Sequence, residues 1–257
     1  MDKLVIFAAG SLRLAFTPLL AAFEQETGHQ AEATFGPAGL LRERIEQGEQ
    51  PQLFASANLE HPQRLVECGL ACFVQPFARN RLCATVRNVP ALTAPDVLTL
   101  LCDPQWRVGI STPLADPSGD YALQVFERLE RLLPGQGSAL SRRALILVGG
   151  AQTAPIPAGR LAAEYVIEQH QADIFLGYAS YADALSVYPQ VTVRRLPAEL
   201  DIEATYGLCL LNNASPAAQS LMKFILAEQG QRILQRSGLL AIPATEISAG
   251  GLMGERS

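Results

Sequence analysis

Short continuous apolar runs alternate with longer segments whose apolar residues recur at helical spacing. Leu4-Val5-Ile6-Phe7-Ala8-Ala9 is such a run and reads as a strand covered on both faces. Leu12, Phe16, Leu19, Leu20 and Phe23 then fall on one face of an amphipathic helix expected over residues 12–26. Pro18 lies inside that span, which implies either a bend there or a start near Thr17, and Gly28 is placed to end the helix. The pattern repeats with a strand at 31–35 and a helix at 40–47, then a strand at 52–56 and a helix at 59–67. Strands alternating with helices predict a parallel sheet with right-handed crossovers.

Further strands are expected at 81–86, 106–110, 144–148, 173–178, 191–196 and 205–211. Helices are expected at 94–101, 120–133, 158–170, 215–228 and 229–237, with a Pro- and Ser-rich loop at 111–119. The segment 249–257 is expected to fray. There is no tandem repeat and no low-complexity tract.

Composition narrows the functional classes. The chain has 257 residues, 49% hydrophobic and 18% charged, which suits one large domain or two lobes with a sizeable core. Its net charge of −5 argues against a nucleic-acid binder that works through a basic face. The longest uncharged stretches, 204–222 and 144–159, are broken by polar residues, Gly and Pro, so no membrane insertion is expected. No leader precedes the first strand, which implies a cytoplasmic protein or one whose leader has been removed.

Five cysteines at irregular spacing are not a disulfide framework; Cys83 and Cys209 read as core residues, and a Cys68–Cys72 pair is disfavoured. His29, His61 and His170 match no metal-ligand spacing and read as solvated surface residues. No free metal cation and no cofactor is expected.

Candidate chemistry lies in the turns. Gly10-Ser11, Gly36-Pro37-Ala38-Gly39 and Pro117-Ser118-Gly119 each precede a helix. In open parallel sheets ligands bind outside the carboxyl ends of the strands, where helix N-termini suit an anion. Ser11 and Ser118 could equally serve only as helix caps. Arg160 follows a Gly- and Pro-rich loop near a helix start, where the dipole disfavours its charge unless an anion is near; the alternative is a solvated arginine. Tyr178 ends a strand and is either a hydrogen-bond donor to a ligand or a packing residue, whereas Tyr181 reads as structural or exposed. Asp116 and Asp120 flank Ser118, but no nucleophile elbow, P-loop, zinc-protease or dinucleotide motif is present, so no enzymatic activity is expected.

Several segments together carry a family resemblance: Phe7-Ala8-Ala9-Gly10-Ser11-Leu12, Phe35-Gly36-Pro37-Ala38-Gly39-Leu40, Leu53-Phe54-Ala55-Ser56-Ala57-Asn58, Asp116-Pro117-Ser118-Gly119-Asp120-Tyr121, Ala172-Asp173-Ile174-Phe175-Leu176-Gly177-Tyr178 and Gly230-Gln231-Arg232-Ile233-Leu234. In this order they resemble the molybdate-binding proteins of ABC transporters along nearly the whole chain. The resemblance implies an α/β, two-lobed type II periplasmic binding protein fold with a hinge and an interlobe cleft. Lobe I would comprise 1–79 and 207–257, and lobe II 80–206. It implies a periplasmic, monomeric solute-binding protein that captures a tetrahedral oxyanion, molybdate or tungstate, and delivers it to a transporter permease.

The ligand set implied by the resemblance is Ser11, Ala38, Gly39, Ser118, Arg160 and Tyr178. Ala38 stands where the family has a second serine, and Arg160 brings a charge where the family relies on neutral donors. A cytoplasmic oxyanion sensor of the same fold and an enzyme on this scaffold remain alternatives. An iron-binding reading is weaker, because Tyr178 and Tyr181 are not adjacent and no carboxylate or histidine clearly completes a set.

Overall fold

The computed structural model describes residues 3–243, so the segment expected to fray at 249–257 lies outside the described residues. The chain forms two compact units. One takes in the described residues through Asn80 and again from Ala204 onward; the other is Arg81–Glu203. The chain exchanges units at 80/81 and 203/204, where the sequence reading placed the exchange at 79/80 and 206/207.

In chain order the strands are β1 (Leu4–Ala9), β2 (Ala31–Gly36), β3 (Leu53–Ser56), β4 (Gln75–Arg87), β5 (Val108–Ser111), β6 (Leu145–Val148), β7 (Ile174–Tyr178), β8 (Val191–Arg195) and β9 (Glu203–Leu210). The α-helices are α1 (Arg13–Thr27), α2 (Ala38–Glu46), α3 (Glu60–Glu67), α4 (Pro90–Thr93), α5 (Val97–Cys102), α6 (Pro117–Leu132), α7 (Gln136–Arg143), α8 (Ala162–Glu168), α9 (Ala182–Leu185), α10 (Pro216–Leu226) and α11 (Glu228–Arg236).

In the first unit β2, β1 and β3 run parallel, and β9 closes on β3 antiparallel with Gly207 opposite Ser56. Every residue of β1 except Val5 is buried, as its unbroken apolar run requires. Helix α1 buries Ala15, Phe16, Leu19, Leu20 and Phe23. Phe16 meets Phe77 at 5.9 Å between ring centroids, and Phe23 meets the edge of Phe224 at 5.7 Å. A 3-10 turn at Gly10–Leu12 leads into this helix, which runs on through Pro18. The proline is tolerated because it sits on the exposed side, and Leu14, whose carbonyl loses its helical donor, is exposed as well. Gly28 ends the helix in the left-handed conformation at φ 74°.

In the second unit β4 pairs antiparallel with both β7 and β8, while β7, β5 and β6 are parallel neighbours in that order. The all-parallel expectation is thus corrected to a mixed arrangement in both units. Val148, Val166, Ile167, Phe175, Leu185 and Val191 gather into one buried cluster.

Three helical expectations also change. The helix expected at 94–101 begins only at Val97, as α5, because Pro95 lies just before it and Asp96 caps it by accepting from the Thr99 N–H at 2.8 Å; α4 lies wholly ahead of the expected span. The one expected at 158–170 shrinks to α8, since Gly159 takes a left-handed φ of 81° just before it. The pattern does not anticipate α7, nor the single turns α4 and α9.

His61 is a further correction. It is buried rather than solvated, and burial first, then the charge of Arg42, pulls its imidazole down to about 4. It is a neutral packing residue at ordinary pH. The five thiols are free, with Cys83 and Cys209 buried.

Candidate functional site

Arg160 apart, each unit brings its candidate residues to the carboxyl ends of its parallel strands. In the first unit β1 ends at Ala9, and Gly10-Ser11 opens the 3-10 turn. The neighbouring β2 ends at Gly36, and Ala38 and Gly39 form the first turn of α2 after Pro37. First-turn N–H groups have no acceptor within their own helix, so this turn is a source of neutral donors. The Leu41 N–H, two residues further in, already bonds the Pro37 carbonyl at 3.0 Å.

Ser11 is met by one residue that the sequence reading missed, and that residue by a second. The Tyr206 hydroxyl donates to Ser11 Oγ at 3.0 Å, and the Asn80 side-chain amide donates to the Tyr206 oxygen at 3.2 Å. Both Tyr206 and Asn80 are fully buried, and the Tyr206 ring stands edge-on to Phe77 at 6.2 Å. Tyr206 reaches this edge because β9 runs antiparallel to β3, which brings the start of β9 to the end of β3.

In the second unit Ser118 lies in the first turn of α6, after β5 ends at Ser111. Asp116 is the N-cap, accepting from the Ser118 N–H at 3.1 Å. Asp116 is half-buried, and desolvation pushes its carboxyl up to about 6, against the opposing hydrogen bonds from the Ser118 N–H and the Ser111 side chain. Asp120 adds a like charge in the same upward direction, and its carboxylate accepts from the Leu114 N–H at 2.9 Å.

Close packing encloses the turn. A Cβ on Gly119 would stand 2.5 Å from the Ser111 carbonyl oxygen, and one on Gly149 would stand 2.7 Å from Asp116 Oδ2. Tyr178, the last residue of β7, is buried, with its ring edge-on to Tyr121 of α6 at 6.5 Å. The helix that presents Ser118 therefore also braces Tyr178. Tyr181 packs, partly buried, against the core cluster.

Arg160 has partners within the chain. Its Nε and Nη2 each lie 2.6 Å from a carboxylate oxygen of Glu164, which is fully buried, and Nη2 also pairs with Glu168. Its guanidinium carbon lies 5.3 Å from the centre of the Tyr165 ring. The bonds from Glu164, then Glu168, raise its pKa above the usual arginine range. The unfavourable position near a helix start is thus compensated by carboxylates, and the Arg160 N–H bonds the Pro157 carbonyl at 3.1 Å. Among the described residues no group of three or more His, Cys, Asp or Glu side chains is placed to hold a metal ion. No helix of those residues is long and apolar enough to cross a membrane.

Residues 4–240 match the family model of the bacterial extracellular solute-binding proteins. The chain belongs to this family. A relative from Pasteurella multocida, itself uncharacterized, is 42% identical over 91% of this chain and 97% of its own. The molybdate-binding protein ModA of Mycobacterium tuberculosis is 27% identical over 92% of this chain and 84% of its own.

Two solved structures share the fold at a TM-score of 0.75. The periplasmic molybdate-binding protein of Azotobacter vinelandii is 18% identical and covers 94% of this chain and 100% of its own. The sulfate-binding protein SubI of Mycobacterium tuberculosis is 16% identical and covers 97% of this chain and 90% of its own. The solute-binding chain thus has the type II periplasmic binding protein fold.

Proposed function

We propose that this solute-binding protein takes a tetrahedral oxyanion as its solute, with molybdate or tungstate as first candidates and sulfate as the competitor. The observation that carries the reading is the hydrogen-bonded Ser11. With Tyr206 donating to its oxygen, the serine hydroxyl keeps its own proton to offer outward. Ala38 and Gly39 supply further donors from the first unit, and Ser118 and Tyr178 those from the second. All lie at strand ends or helix starts, where neutral donors and helix dipoles offset the desolvation of an anion.

An anion at the start of α6 would compete with the Asp116 carboxylate for the Ser118 N–H, so binding favours protonated Asp116. Arg160 enters this reading only if its guanidinium leaves Glu164. Nothing in the reading requires chemistry on the solute. The protein would act as a monomer in the periplasm and hand its anion to an ABC transporter permease. The 27% identity to a molybdate-binding relative supports molybdate, while the sulfate-binding fold neighbour keeps sulfate in the comparison.

Calorimetric titration of ligand-free protein with molybdate, tungstate, sulfate and phosphate tests the reading. The expected result is one-to-one binding of at least one of the four. The same anion should raise Tm, since a ligand at a hundredfold excess over Kd stabilises the native state by about 2.7 kcal/mol. No binding and no thermal shift with any of the four would overturn the reading.

A further inference from the structure

We propose that Tyr206 and Asn80 are positioning residues that fix Ser11 as a hydrogen-bond donor to the bound anion; this inference rests on the oxyanion reading above. An amide nitrogen can only donate, so the Asn80 contact at 3.2 Å engages a lone pair of the Tyr206 oxygen. The phenol proton is then directed to Ser11 Oγ, 3.0 Å away. A phenol is also a stronger donor than an aliphatic alcohol, which favours the same direction. Ser11 receives one proton on its oxygen and must place its own proton elsewhere.

Without this arrangement the serine hydroxyl rotates among acceptors and loses part of its donor capacity towards an anion. The relay is rigid where rigidity is needed. Tyr206 and Asn80 are fully buried, and Phe77 holds the tyrosine ring edge-on. The three residues lie in one unit, so the relay forms whatever solute is present. Ser11 itself is only partly buried, as a group that meets a solute must be.

A double-mutant cycle tests the inference, using Tyr206→Phe, Ser11→Ala and the pair, each titrated with the oxyanion that binds the unaltered protein best. Phenylalanine keeps the ring and its packing on Phe77. Tyr206→Phe is expected to weaken binding about fivefold when Ser11 is present, the value of one ordinary hydrogen bond. In the Ser11→Ala background it is expected to change affinity less than about twofold. An equal loss in both backgrounds would assign Tyr206 a purely structural role, and no loss in either would remove it from binding; both overturn the inference. Asn80→Ala runs through the same cycle, with a loss of the same sign expected only when Ser11 is present, and keeps the test open if Tyr206→Phe does not fold. If the unaltered protein binds none of the four anions, the oxyanion reading fails instead, and the two failures are thereby separated.

Discussion

At the scale of single residues, Asp116 couples the solution pH to the start of α6. Its carboxyl titrates near 6, above the usual value of 3.8, because burial penalises the charged form. The native state therefore holds more protons than the unfolded chain between those two values, and stability falls as pH rises through that window. The loss from this group is about 3 kcal/mol and is complete above its folded pKa. In Asp116→Asn this component of the Tm slope between pH 4 and pH 6.5 is expected to disappear. Oxyanion affinity should likewise fall as pH rises through about 6 in the unaltered protein, with a flatter profile in the variant. Titrations at several pH values read both.

Arg160 gives a second residue-scale expectation. Arg160→Ala leaves the buried Glu164 carboxylate without its fork, so Tm is expected to fall, and Arg160→Lys should recover part of the loss because a lysine offers a charge without the planar pair of donors. Oxyanion affinity is expected to change less than about threefold. A larger loss at unchanged Tm would return the guanidinium to the ligand set. The turn residues Ser11 and Ser118 were legible because hydroxyl and small residues before helices carry a local signature. Tyr206 was not, since its partner lies 195 positions away and nothing near either residue announces the pairing.

At the scale of elements, the turn from β5 into α6 carries most of the packing demand. Gly119→Ala would drive a methyl group into the Ser111 carbonyl and the Pro113 nitrogen, both backbone atoms that move only with the turn. It is expected to destabilise the protein by about 1–3 kcal/mol in denaturant unfolding and to weaken oxyanion binding through displacement of Ser118. β1 and α1 could be read from their apolar pattern because each buries one continuous or evenly spaced set of side chains. Helix α7 could not, since Gly137 and Leu140 are its only buried residues and its sequence is otherwise polar. β4 also extends six residues earlier than its apolar run, because its first part contains Gln75, Arg79 and Asn80, polar residues that no alternation rule assigns to a strand. The antiparallel placement of β9 depends on chain return, which local pattern does not encode.

At the scale of the whole molecule, the second unit is one uninterrupted stretch, Arg81–Glu203, whereas the first is assembled from two. The stretch holds its own buried cluster and its own strand ladder from β4 through β7 and β5 to β6. Expressed alone, residues 81–203 are expected to unfold cooperatively by circular dichroism. The segment through residue 80, expressed without the later one, is expected to show no cooperative transition, because β3 then lacks β9. A cooperative transition in that segment alone would show that β9 is dispensable for the first unit.

The return of β9 to β3 also orders events on the ribosome. Ser11 leaves the exit tunnel early, but the tyrosine that donates to it is translated only after the entire second unit. A nascent chain can therefore complete the inserted unit while the free edge of β3 still waits for its partner. A chaperone that shields exposed strand edges has its longest opportunity in that interval, and a translational pause just before residue 203 would lengthen it.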